Sequence, residues 1–203
     1  MQTNVEIVNL SRRAFLGAIP AVSLVLAVGI PRLALADDEP KYGGDSMPHG
    51  WVDDPLVFVA IGTDGTVTIT CHRQEMGQGV RTSLPMIVAD ELEPTGVRVR
   101  QAQGDEVRFG NQDTDGSRSV RHFFEPMRRC GAAARTMLEQ AAAAQWAVPL
   151  AEVAASSHAV VHRSTNRKLG YGALALAASR LPVPARDKLS TQSASPCRLK
   201  VDA

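Results

Sequence analysis

The chain has 203 residues, 44% of them hydrophobic, and a formal net charge of +1. That length suits one domain, or two small ones, with ample apolar material for a core. So small a charge excludes the basic field that nucleic-acid binding needs, and aromatic residues at 4% leave much of the packing to alanine.

The N-terminus carries the most specific local signal. Ser11-Arg12-Arg13-Ala14-Phe15-Leu16-Gly17 leads into an uncharged stretch, Ala14–Ile30, and Ala34-Leu35-Ala36 precedes the acidic Asp37-Asp38-Glu39. Basic n-region, apolar h-region and A-x-A site make a signal peptide, and the paired arginines resemble a twin-arginine leader. The uncharged stretch has 17 residues, and a helical membrane span needs about 20. Residues 1–36 are therefore expected to be a signal peptide leading to the periplasm. No stable membrane span remains after cleavage, whereas an uncleaved leader would act as a tether. Cleavage removes three arginines and one glutamate and turns the net charge from +1 to −1. The twin-arginine route exports folded proteins, so it suits one that takes up a cofactor in the cytoplasm first.

Residues 37–54 read as a turn-rich lead-in. Leu56–Ile61 and Val67–Cys71 are β-rich and flank Thr63-Asp64-Gly65, a hairpin pattern. Next comes Glu75-Met76-Gly77-Gln78-Gly79, flanked by His72 and Thr82. Glycine lacks a Cβ, so this loop can turn sharply and bring backbone N–H groups close to a ligand. A helix expected from about Thr82 to Glu91, with Pro85 in its first turn, adds unpaired donors that suit pyrophosphate. Gln78 offers both a donor and an acceptor and can read a polar ring edge. Taken alone, the spacing favours an ordinary strand-to-helix turn.

Val97–Arg100 alternates as a strand, and Gln103–Asp115 reads as a polar surface loop. Gly116-Ser117-Arg118-Ser119 is a second candidate anion cradle, with plain serine N-capping as the alternative. A long alanine-rich helix is expected from about Arg121 to Trp146, with Pro126 as another possible start and Gly131 admitting a close neighbour. Leu150–Ala155 adds a helical turn. Ala159–His162 and Lys168-Leu169 frame a second hairpin around Ser164-Thr165-Asn166. Tyr171–Ser179 reads as a short helix, and Leu181–Pro184 as extended chain. Residues 186–203 are rich in serine without periodicity and read as a disordered or frameshifted tail. The expected fold is α+β, with short hairpins and a small sheet packed against one long helix.

Other chemistry finds little support. Cys71, Cys130 and Cys197 form no C-x-x-C pair and suggest neither zinc nor an iron–sulfur cluster; the first two suit burial. His72 and Glu75 lack a third ligand. His122, His158 and His162 are scattered. Arg118, Arg121, Arg128 and Arg129 read as solvated helix faces, one of which could neutralise a phosphate. Neither a G-x-S-x-G elbow nor a Walker loop is present.

Taken in order, these pieces resemble the molybdopterin-binding subunit of the xanthine dehydrogenase/aldehyde oxidase family, closest to the exported branch typified by the isoquinoline 1-oxidoreductase β subunit. The matching residues are the twin-arginine leader, His72-x-x-Glu75-Met76-Gly77-Gln78-Gly79-x-x-Thr82 and Gly116-Ser117-Arg118-Ser119-Val120. Pro126-Met127-Arg128-x-x-Gly131-Ala132-Ala133-Ala134-Arg135, Trp146-x-Val148-Pro149 and Tyr171-Gly172-x-Leu174 follow. The resemblance implies that residues 37–185 are the N-terminal portion of a molybdopterin-binding region. It implies a molybdenum cofactor with a cytosine dinucleotide tail, held by Met76, Gly77, Gln78, Gly79, Gly116, Ser117, Arg118 and Ser119. It further implies hydroxylation of N-heterocycles or aldehydes at molybdenum, with electrons leaving through a small [2Fe-2S] subunit and onward to a cytochrome acceptor. The family's glutamate base falls beyond Ala203, and Asp115 stands where the family has glycine. No catalytic residue is therefore expected here, and the chain alone is expected to be inactive. The alternatives are a non-catalytic exported module that binds a cofactor or partner, and a truncated gene product.

Overall fold

Val67, Ile69 and Cys71 are buried positions of a five-residue, β-branched strand, and the first half of the molecule is built on it. A computed structural model describes residues 55–102 and 106–192. The expected signal peptide and Cys197 lie outside those residues. Pro55, whose fixed φ suits a helix start, opens a single turn, α1 (Pro55–Phe58), which passes into β1 (Val59–Ile61). The first strand is thus shorter than the expected Leu56–Ile61. It pairs antiparallel with β2 (Val67–Cys71), with Val59 opposite Ile69, and the Asp64 carboxylate accepts the Thr66 N–H in the turn. The chain then crosses through α2 (Val80–Leu92) to β3 (Arg98–Gln101), which pairs parallel to β2. Parallel neighbours need such a crossover.

The segment expected to be a surface loop contains a helical turn, α3 (Glu106–Phe109), and buries Asn111 and Gln112. The Asn111 side-chain oxygen accepts from Arg73 and the Gln112 carbonyl accepts from the Gln74 N–H. The long helix α4 (Arg118–Trp146) starts earlier than expected and runs straight through Pro126. Phe123, Met127, Cys130, Ala134, Met137, Leu138 and Ala141 recur at helical spacing as its buried face. Cys71 and Cys130 are both buried free thiols. Pro85 sits past the first turn of α2, because that helix begins at Val80 and not at Thr82.

The two helices touch backbone to backbone at Gly131, where a Cβ would fall 2.6 Å from the Val88 carbonyl oxygen and 2.8 Å from Glu91 Cβ. Beside that crossing, Glu91 is fully buried and binds two arginines of α4. Arg128 Nε donates to Oε1 at 2.9 Å, and Arg135 Nη1 donates to Oε2 at 3.0 Å. Arg128 is therefore part of a helix–helix tie and not of the solvated face expected from sequence.

After a 3-10 turn (Leu150–Glu152), a second sheet forms from β4 (Val153–Ser156), β5 (Ala159–His162) and β6 (Lys168–Gly170), all antiparallel. The β5–β6 hairpin matches the sequence reading; of the helical turn expected over Leu150–Ala155, the first half is the 3-10 turn and β4 takes the second half. His162 is buried and bonded to Glu152 and Thr165. The short helix α5 (Tyr171–Ala178) places the Tyr171 hydroxyl against the Leu92 carbonyl at the end of α2. Residues 186–192, read from sequence as part of a loose tail, are largely exposed but hydrogen-bonded to the helices. Arg186–Lys188 form a 3-10 turn, the Gln192 N–H donates to Glu91 Oε2 at 2.9 Å, and Arg128 and Arg135 donate to the Gln192 and Ser190 carbonyls. The architecture is α+β, as expected. No helix among the described residues is long and apolar enough to cross a membrane.

Candidate functional site

The chain leaving β2 makes the first glycine corner. Gly77 and Gly79 have φ of +100° and +84°, and a Cβ at either would meet nothing within 4 Å, so the corner is open on its outer side. Side chains rarely take such φ values, which explains the glycines. Gly79 is the N-cap of α2. The backbone donors expected to face a ligand are already engaged. Glu75 Oε1 accepts the N–H of Gly77 at 2.7 Å and of Gly79 at 3.0 Å, and Oε2 accepts that of Arg81 at 2.8 Å. These bonds, that of Arg81 foremost, hold the Glu75 carboxyl below its ordinary pKa. Gln78 is folded back in the same way: its Oε1 accepts the Met76 N–H at 2.6 Å, and its Nε2 donates to the Gln74 carbonyl at 2.8 Å. Met76 projects outward, 71% exposed.

The second corner opens α4. Gly116 and Ser117 both have positive φ, +47° and +57°. Ser117 stands at the N-cap, yet it is left-handed and its hydroxyl makes no capping bond, so plain serine capping is not its role. The Arg118 N–H donates to the Asp115 carbonyl at 2.9 Å, and its guanidinium lies 3.8 Å from the Asp115 carboxylate. Ser119 is buried.

One residue ties these corners together. Arg73, fully buried, donates from Nε to Ser119 Oγ at 3.2 Å and from Nη1 to the Asn111 carbonyl at 3.0 Å and the Asn111 side-chain oxygen. Its carbon Cζ lies 5.1 Å from the centre of the Phe123 ring. Next to it, the Gln74 N–H donates to the Gln112 carbonyl at 3.2 Å, and Thr114 Oγ1 donates to the Gln74 carbonyl at 2.7 Å. Arg73 Nη2 has no partner among the described residues. Burial lowers its pKa, while Asp115 and Asp113 act in the opposite direction. A buried guanidinium bonded only to neutral oxygens is costly and is suited to an incoming anion.

Beneath the first corner, His72 is buried between Phe58 and Phe123, with ring centroids at 5.1 and 4.4 Å and neither ring nitrogen bonded. Burial first, and the Arg73 charge second, push its pKa down to about 3. It is a neutral residue packed among aromatic rings, and no group of His, Cys, Asp and Glu among the described residues could hold a metal ion.

All eight residues singled out from sequence thus lie on two corners joined through Arg73. Sequence reasoning missed the joint itself: Arg73, Asn111, Gln112 and Thr114. The available signal was a lone arginine between an apolar strand and a glycine loop, where a solvated charge is unexpected. A separate open groove of about 380 Å3, lined by Thr66, Arg98 and His158 among others, lies at the opposite ends of β2 and β3.

Residues 41–199 match the model of the molybdopterin cofactor-binding domain, and the chain belongs to that family. The match runs through the segment read from sequence as a tail. Among individual proteins, the chain is 36% identical over 177 residues to the isoquinoline 1-oxidoreductase β subunit of Brevundimonas diminuta, covering 83% of this chain and 22% of that protein. It is 34% identical over 139 residues to a membrane-bound aldehyde dehydrogenase [pyrroloquinoline-quinone] of Gluconacetobacter polyoxogenes, covering 68% and 18%. A nicotinate dehydrogenase subunit of Pseudomonas putida is 36% identical over 94 residues, covering 46% and 8%. The chain therefore spans about a fifth, or less, of the length of these relatives.

Proposed function

We propose that this chain is the molybdenum-cofactor-gripping portion of a periplasmic molybdenum hydroxylase, an oxidoreductase acting on N-heterocycles or aldehydes and exported by the twin-arginine route. The observation that carries the reading is the joint at Arg73, a buried cation just ahead of the first glycine corner that bonds to Ser119 of the second. The residues fit such a group in a divided way. The α4 corner, with a helix start that has no side-chain cap, the Ser117 hydroxyl and the Arg73 charge buried beside Ser119, suits the diphosphate of a cytosine dinucleotide form. Met76, Gly77, Gln78 and Gly79 present an open surface without β-carbons at the two glycines, suited to the flat pterin. Gly116, Ser117, Arg118 and Ser119 complete the grip. When bound, the molybdenum centre supplies the oxygen-transfer and redox chemistry.

The residues described hold and orient, and turnover belongs with the further length that the relatives have. Electrons would pass to a small [2Fe-2S] subunit and then to a cytochrome; two of the relatives are themselves named as subunits, which supports a multi-subunit assembly. The test is the metal content of the full chain purified from a host that makes the cytosine dinucleotide cofactor. Near-stoichiometric molybdenum, lost in Arg73→Met, is expected. A wild-type chain free of molybdenum overturns the reading in favour of a module that binds no such cofactor.

A further inference from the structure

We propose that Glu75 is a positioning residue whose carboxylate stands where an anion would sit at the mouth of α2, closing the Gly77–Gly79 corner to phosphate and setting it to meet an uncharged polar ring. This rests on the cofactor reading above and assigns one corner's share of it. A helix start preceded by a glycine turn ordinarily offers free N–H groups to an anion. Here one side chain takes the N–H of Arg81 in the first turn together with those of Gly79 and Gly77 in the glycine turn ahead of it, all within 3.0 Å.

An incoming phosphate would have to displace the carboxylate or lie beside a like charge, and both are unfavourable. The Gln78 amide, bonded at both ends to Met76 and Gln74, braces the same turn from within. What remains facing outward is the open side of Gly77 and Gly79, where a Cβ would meet nothing within 4 Å. The lowered Glu75 pKa agrees with a carboxylate that stays charged in this position. The α4 corner has the opposite character, since its buried partner is a cation with an unbonded N–H group.

The test uses the full apo chain, followed by backbone amide NMR with inorganic pyrophosphate as the probe. In the wild type, the amides of Gly77, Gly79 and Arg81 should exchange slowly and stay unmoved by millimolar pyrophosphate. In Glu75→Ala they should exchange about tenfold faster, as expected for loss of charge-assisted bonds, and pyrophosphate should shift them. Glu75→Gln keeps a single acceptor oxygen and covers the case in which the alanine variant does not fold; exchange should quicken at Arg81. Pyrophosphate shifts at these amides in the wild type, or unchanged protection in both variants, overturn the proposal. Molybdenum content separates the two readings. A wild type that excludes pyrophosphate here yet carries no molybdenum sinks the cofactor assignment and upholds the exclusion by Glu75. A chain that carries molybdenum and also binds pyrophosphate at this corner sinks only the role given to Glu75.

Discussion

Gly79 and Ser117 hold equivalent places, each the N-cap residue ahead of a helix and each in the left-handed region, yet a carboxylate bonds into the first helix start and not into the second. At the α2 corner the strain is relieved by glycine and the helix start is filled by the chain's own carboxylate. At the α4 corner a serine bears the left-handed conformation without a capping bond, and the charge beneath it is the guanidinium of Arg73. The first is a finished local structure. The second keeps strain and an unbonded donor, features that accumulate where a ligand completes the arrangement. Similar glycine-bearing turns can therefore differ in what they accept, and the difference resides in one neighbouring side chain.

The comparison holds only while α2 and α4 stay in register, and the largest expected effect comes from parting them. Glu91→Ala leaves Arg128 and Arg135 without their shared carboxylate in a buried setting. It should cost about 3–5 kcal/mol, the range for breaking a buried ion pair, measured as a lowered urea midpoint.

An acid titration tests the floor common to the corners. The His72 pKa falls from 6.5 to about 3 on folding, so between those values the unfolded chain binds a proton that the folded one does not. Its contribution is fully present above pH 6.5 and is lost as pH falls, at roughly 1.4 kcal/mol per unit. His72→Phe should flatten that slope relative to the native protein. A parallel slope in both would show that the imidazole is not buried neutral.

The smallest effect is a reciprocal exchange at the N-caps. Gly79→Ser should lose about 1 kcal/mol, and Ser117→Gly should gain up to a similar amount, by the steric cost of a left-handed side chain. If Ser117 is kept for a ligand, the stabilised variant should also retain less molybdenum.

Much of this was legible in the sequence because it is written in local periodicity. The long helix, both hairpins and the crossover helix follow from alanine-rich, β-branched and glycine-bounded stretches, though Val80 and Arg118 start their helices earlier than propensity placed them. Left-handed residues just ahead of each start are a backbone choice that residue identity signals for Gly79 and conceals for Ser117. The family likeness likewise rests on short motifs in a fixed order. What pattern could not reveal was pairing across distance. Arg73 meets Asn111 and Ser119, and Glu91 meets Arg128 and Arg135, only after the chain has folded. The same limit hid the occupancy of the first corner: Glu75 lies within the motif, but its turning back onto Gly77, Gly79 and Arg81 depends on the exact path of the loop.

The hydrogen-bonded segment at 186–192 bears on where the folding unit can be divided. Leu181-Pro182-Val183-Pro184 reads as a natural hinge, and a cut there would spare, among the described residues, every regular helix longer than one turn and every strand. It would also carry away the main-chain groups of Ser190 and Gln192 that finish the cluster around Glu91. A stretch with hardly any regular structure is thus a latch on the two helices that bear the glycine corners, and its removal would be felt far from where the chain was severed.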